Sequence, residues 1–222
     1  MTFRLRDNLH WCACGGRVIF LDLEADRYIC LPFAAEAAFL RVAHGEMRQG
    51  DADRLRPLLA RRMLIEDDRS AGPGPPPEFR AATRDLLEEP FPPARFADML
   101  AALASQARSA WLLRASPLLD VLRSVQSRAS PQGPGPADVE ARLCRIVSAF
   151  AATSILAGVA ERCLVRALAL HSTCRRHGIR PQLLFGVRVN PFRAHCWIQL
   201  DEAVLIGDLE QVRLFTPILM LG

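Results

Sequence analysis

The chain opens on short runs of apolar residues broken at strand-length intervals. Residues 17–31, RVIFLDLEADRYICL, hold two β-rich runs separated by Glu24-Ala25-Asp26, the pattern of a hairpin, and LHWCAC at 9–14, ended by Gly15-Gly16, predicts a third strand. After Pro32 the period changes. Residues 33–43 are rich in helix formers and close on His44-Gly45, which predicts a first helix. A second helix is expected from Asp51 or Ala52 to about Met63, with Leu55, Leu58, Leu59 and Met63 on one stripe and Pro57 as an interruption. Residues 1–67 therefore read as a small module of a three-stranded sheet and two or three helices.

The stretch SAGPGPPP at 70–77 cannot pack as helix or strand and marks a linker over 68–78. Beyond it, residues 79–128 read as helical, and Phe96, Met99, Leu100, Leu103 and Ala104, three and four apart, predict an apolar stripe that covers a core. SPQGPGP at 130–136 predicts a surface loop. Asp138 then serves as the N-cap of a helix carrying Val139, Leu143, Ile146, Val147 and Phe150. A further helix starts at or near Cys163 and stops at Gly178, after Arg175, Arg176 and His177, whose charges suit its negative end. Residues 181–189, 194–200 and 203–208 read as strands joined by turns at Asn190-Pro191 and Asp201-Glu202. The fold class is α+β, with helices packed on an antiparallel sheet in a second domain over 79–222.

Composition narrows the function. With 222 residues, half of them apolar, the chain can bury a sizeable core. All 28 basic residues are arginine, dispersed, and the net charge is only +4, so no nucleic-acid face is expected. Apolar runs are interrupted well short of the roughly 18–20 residues of a membrane span, and the N-terminus lacks the apolar core of a signal peptide. The expected location is the cytoplasm. Seven cysteines, an odd number with no repeated CxxC pair, argue against a disulfide framework and a structural zinc site, and no metal or other cofactor is expected.

The chemistry is concentrated late in the chain. Cys163 heads a helix, His195 follows in an apolar strand, and Asp208 ends the next strand, an order that suits a cysteine nucleophile with a histidine base and an orienting acid. A helix N-terminus lowers a thiol pKa and offers amides to an oxyanion. Each residue also has an ordinary reading: Cys163 as a small core residue, His195 as a hydrogen-bonded core histidine, Asp208 as a strand-end cap. Cys174 and Cys196 compete as nucleophiles. Cys174 lies at the wrong end of its helix, and Cys196 alternates to the strand face opposite His195. His171 and His177 read as exposed helix positions. In the N-terminal module, an unpaired hairpin strand offers its backbone to an extended peptide; a plain packing subdomain fits the same pattern equally.

The segments RCLVRALAL, RRHGIRPQLLFGVRV, NPFRAHCWIQLD and VLIGD, in order over about residues 140–217, resemble the leader peptidase of lasso-peptide biosynthesis, a transglutaminase-like, papain-related cysteine protease. The resemblance implies Cys163 as nucleophile, His195 as base and Asp208 as acid, with Asp201 as the substitute because Gly207 stands where relatives often have asparagine. It also implies that VIFLDLEADRYICLP and the helix after it form a winged-helix-like precursor-recognition element. Leader contacts would lie along Arg27, Tyr28, Ile29, Cys30 and Leu31 and on the second helix through Leu55, Leu58 and Leu59. The implied partners are a lasso-precursor leader and an asparagine-synthetase-like macrolactam synthetase, to which ATP use is assigned.

Overall fold

The computed structural model describes residues 2–67, 72–74, 76, 78–88, 92–127, 136–154 and 163–222, with side chains from Val139 onward in the helix that begins at Pro136. The chain divides into two units, residues 1–78 with 188–192, and residues 79–187 with 193–222. The loop expected at 130–136 lies almost wholly outside the described residues.

In the first unit, β1 (Phe3–Leu5) precedes the sheet β2 (Leu9–Cys14), β3 (Arg17–Asp22) and β4 (Arg27–Cys30), whose strands pair antiparallel in that order. Helices α1 (Phe33–Ala43) and α2 (Asp51–Ala60) follow, and β5 (Leu64–Glu66) returns to pair with β1. That β1–β5 ladder is an addition to the expected module: three-residue runs carry too little alternation to stand out from sequence. Alternate residues of β2 and β3 and the inner faces of both helices build one core in which Trp11 and Phe20 each meet Phe39 edge-on, with centroids 5.0 Å apart. Two buried acids fasten the helices. Glu36 of α1 accepts from Arg17 Nε at 2.8 Å and from the Val18 amide at 3.0 Å, and Asp51 of α2 pairs with Arg41 of α1. Buried carboxylates persist only with such partners.

The second unit starts with β6 (Arg84–Asp85), a single 3-10 turn at Leu86–Glu88, α3 (Phe96–Ala115) and α4 (Leu118–Gln126). The helical reading of 79–128 therefore holds from 96 onward, while 84–85 form an edge strand, parallel to β9. Next come α5 (Pro136–Ala152), which begins two residues before the expected cap at Asp138, α6 (Cys163–Arg176), β7 (Gln182–Arg188), β8 (Arg193–Leu200), β9 (Ala203–Ile206), α7 (Leu209–Val212) and β10 (Thr216–Leu221). The sheet order is β10-β7-β8-β9-β6. Helices packed on a mostly antiparallel sheet make the unit α+β.

Two expectations fail here. The stripe Phe96, Leu100 and Ala104 of α3 faces outward, and the buried face is Ala102, Ser105, Gln106 and Ser109. Small polar side chains let α3 approach α6 closely, Ser105 Oγ donating to the Ala169 carbonyl at 3.2 Å, and Gln106 Nε2 reaches Thr153 Oγ1 at 3.1 Å. His171 is also buried, on the inner face of α6, where desolvation first and Arg175 second push its pKa down to about 4. His177 is exposed.

Candidate active site

Cys163 is the first residue of α6, where the helix's leading amides lack intrahelical partners and carry partial positive charge. Buried Ala167, Leu168, Leu170 and Cys174 hold the helix in the core, packed on β8. That packing brings the helix start to the beginning of β8, where His195 and Cys196 stand side by side. Cys163, His195, Cys196 and Asp208 line one cleft of about 320 Å³, joined by Arg166, Ser154 and Gln211.

The electrostatics favour a thiolate at Cys163. Its pKa is lowered from 9.0 to about 4, first by a hydrogen bond from the Cys196 thiol, against which burial works, and then by the hydrogen bond and charge of His195 and by the Cys196 backbone N–H. The partner thiol moves the other way: donating to Cys163, and fully buried, Cys196 is pushed well above its ordinary range. One sulfur is thus the anion and its neighbour the donor. Cys174, buried and remote from this group, is pushed up to about 12 by desolvation.

His195 is framed by aromatic rings, stacked on Trp197 at 6.3 Å and tilted against Phe215 at 5.2 Å. Trp197 itself is seated by Gly186 on β7, where a Cβ would lie 2.8 Å from the indole and 3.0 Å from Phe215. Any larger residue at 186 would displace the wall behind the imidazole. His195 Nε2 is buried and has no hydrogen-bond partner among the described residues.

Asp208 lies in the cleft without bonding His195. Its Oδ1 caps α7, accepting the amides of Glu210 at 2.9 Å and Gln211 at 3.4 Å, so the ordinary strand-end reading describes its present contacts. Gly207 before it has φ +130°, a conformation that glycine tolerates and that turns β9 into α7. Asp201 is not brought to the site. It sits at φ 52° in the β8–β9 turn, its carbonyl accepts Gln199 Nε2 at 2.6 Å, and its side chain lines a different depression with Arg80 and Arg84.

Sequence reasoning missed the part played by Cys196. Alternation does turn it away from His195, but α6 packs on β8 so that both residues reach Cys163 at the head of that helix. Arg166 was legible, being one helical turn beyond Cys163. It donates to the Phe150 carbonyl at 3.3 Å, and burial lowers its pKa. Ser154 and Gln211 arrive from α5's end and α7, and nothing local in the sequence marks them.

In the first unit, β4 is an edge strand, with β3 as its one neighbour among the described residues. Arg27 and Cys30 are exposed, Ile29 is half-buried, and Tyr28 meets Phe192 with ring centroids 5.6 Å apart. The other expected leader contacts need correction. Leu31, Leu55 and Leu58 are buried in the core, and Leu59 packs against it, because the stripe that spacing selected is the stripe that holds α2 in place.

Among the described residues, no cluster of three His, Cys, Asp or Glu has metal-holding geometry, and no helix is long and apolar enough to cross a membrane. A family model described as the transglutaminase-like superfamily matches residues 99–220, more than half of the 222-residue chain, from within α3 to within β10, and includes the cleft's cysteines, His195 and Asp208. No curated protein and no solved structure gives a significant match. On the strength of that model, the chain belongs to the transglutaminase-like superfamily.

Proposed function

We propose that this chain is a cytoplasmic cysteine endopeptidase that removes the leader from a lasso-peptide precursor. The observation that carries the chemistry is the Cys163 thiolate at a helix N-terminus, held by His195 and the Cys196 thiol in an open cleft. Attack of the Cys163 sulfur on the scissile carbonyl forms a tetrahedral oxyanion near the leading amides of α6. Collapse breaks the C–N bond as His195 gives its proton to the leaving amine. Water then adds to the thioester, giving a proton to His195, and Cys163 is released as thiolate with the leader's new carboxylate. Asp208, which lines the same cleft, is assigned as the orienting acid in this scheme.

The resemblance of the motif blocks supports the substrate, and the exposed edge of β4 supports the mode of leader binding, as an added strand that raises the local concentration of the scissile bond. The core peptide would pass to an ATP-dependent macrolactam synthetase. Superfamily membership favours one second reading, transfer of the same acyl group to an amine.

Incubation with a full-length lasso precursor, followed by mass spectrometry with and without added amine, separates the readings. Cleavage that is lost in Cys163→Ala and kept in Cys174→Ala supports the peptidase. A leader product heavier than the hydrolysed leader by the added amine less one water supports transfer. Intact precursor held tightly by the wild-type chain would replace both with a binding protein.

A further inference from the structure

Helix α3 is built inside out. Phe96, Leu100 and Trp111 are 75%, 51% and 64% exposed, with exposed Ala104 and Ala107 and half-exposed Leu103 between them. At about 100° per residue, all six fall within a sector of roughly 100°, and the buried Ala102, Ser105, Gln106 and Ser109 centre on the opposite side. Turning the helix about its axis would not repair this, since Ser105 and Gln106 are bonded to Ala169 and Thr153. The apolar face is a fixed feature of the surface, about 22 Å long.

We propose that this face seats the same face of a second copy of the chain, as an antiparallel helix pair about a two-fold axis between Leu103 and Ala104. In that register the two leucines meet alanines, Leu100 over Ala107 of the second copy and Leu103 over Ala104, while the large rings of Phe96 and Trp111 meet each other at both ends. Large-on-small alternation is what lets two helices interdigitate at close range. Between Phe96 and Trp111 the stripe carries no charged side chain, and exposed Arg114, on the same side one turn beyond Trp111, marks its end. Its area also fits. Whole aromatic side chains present about 150–250 Å² each, so the exposed parts of Phe96, Trp111 and Leu100 sum to roughly 400 Å² per copy. Two copies with their flanking alanines bury close to 1,000 Å², where specific interfaces begin and reversible dimers are found.

Sedimentation equilibrium and light scattering on the full chain, from about 1 to 200 µM, read the outcome. The wild type is expected to move from 24.6 kDa toward twice that mass. Leu100→Glu and Trp111→Glu, both at exposed positions, should keep the wild-type circular dichroism and raise the dissociation constant at least tenfold. Leu103→Glu should do the same, and adding Ala104→Arg, which sets opposite charges across the axis, should restore association. A wild type that stays at 24.6 kDa throughout overturns the proposal, as does a dimer indifferent to both Leu100→Glu and Trp111→Glu. Dimerisation that survives them but fails on changes elsewhere assigns the interface to another face and overturns it equally.

Discussion

Replacing Cys196 with alanine should raise the pKa of Cys163 while leaving the nucleophile in place. The thiol of Cys196 is the largest cause holding Cys163 near 4, ahead of His195. A hydrogen bond to a charged group contributes about 1.5–3 kcal/mol, and one pKa unit corresponds to about 1.4 kcal/mol, so its loss should lift Cys163 by roughly 1–2 units. The new value remains below that of a free cysteine because His195 still lowers it. The assay is the pH dependence of iodoacetamide alkylation, read at the Cys163 peptide by mass spectrometry. Cys174→Ala, which alters a buried thiol outside the cleft, should leave the midpoint where it is. The sign extends to stability. A folded-state pKa lowered from 9.0 to about 4 adds nothing below pH 4, adds progressively as pH rises between the two values, and is fully present above 9.0. The wild type should therefore gain on Cys163→Ser across that window, and Cys196→Ala should narrow the gain. A Cys196→Ala midpoint within about 0.3 units of wild type, or a wild-type midpoint near that of free cysteine, would refute the reasoning.

Three further outcomes are expected. Gly186→Ala places a Cβ 2.8 Å from Trp197 and should cost about 1–3 kcal/mol in urea unfolding while slowing Cys163 alkylation through the displaced wall of His195; unchanged values for both would sink that account. Asp208→Asn keeps a capping side chain, so stability should stay within about 0.5 kcal/mol while precursor cleavage slows, and full activity would remove Asp208 from the mechanism. Asp51, held at about 2 instead of 3.8 by Arg41 first, stabilises the fold above pH 3.8 and loses that contribution as pH falls through 2. The stability gap between wild type and Asp51→Asn, followed by acid-dependent fluorescence, should therefore close on acidification, and a pH-independent gap argues against the ion pair.

Much of the architecture was legible because period and punctuation agree with the fold. The hairpin of β3 and β4, the start of α1 after Pro32, α6 from Cys163 to its glycine stop, and the run of β7, β8 and β9 all follow from local alternation and turn residues, each set by the chain's own stereochemistry. What could not be read locally depends on which neighbour covers which face. Spacing identified one stripe on α3 and one on α2 in the same way, yet the first faces outward and the second forms the core. The period of a helix says that it has two faces, and only the packed partner says which is inside.

The site divides along the same line. From sequence came the residue types and their order: a cysteine opening a helix, a histidine in the second strand after it, an acid at the end of the third. Tertiary structure alone set Cys196 against Cys163, left His195 Nε2 without a partner among the described residues, moved Asp201 out of reach and engaged an oxygen of Asp208 in capping α7. The reason is distance. Local sequence fixes where a side chain leaves the backbone, but a thiol pKa and a hydrogen bond depend on a few ångströms between groups from separate elements, and those are decided by how α6 packs on β8.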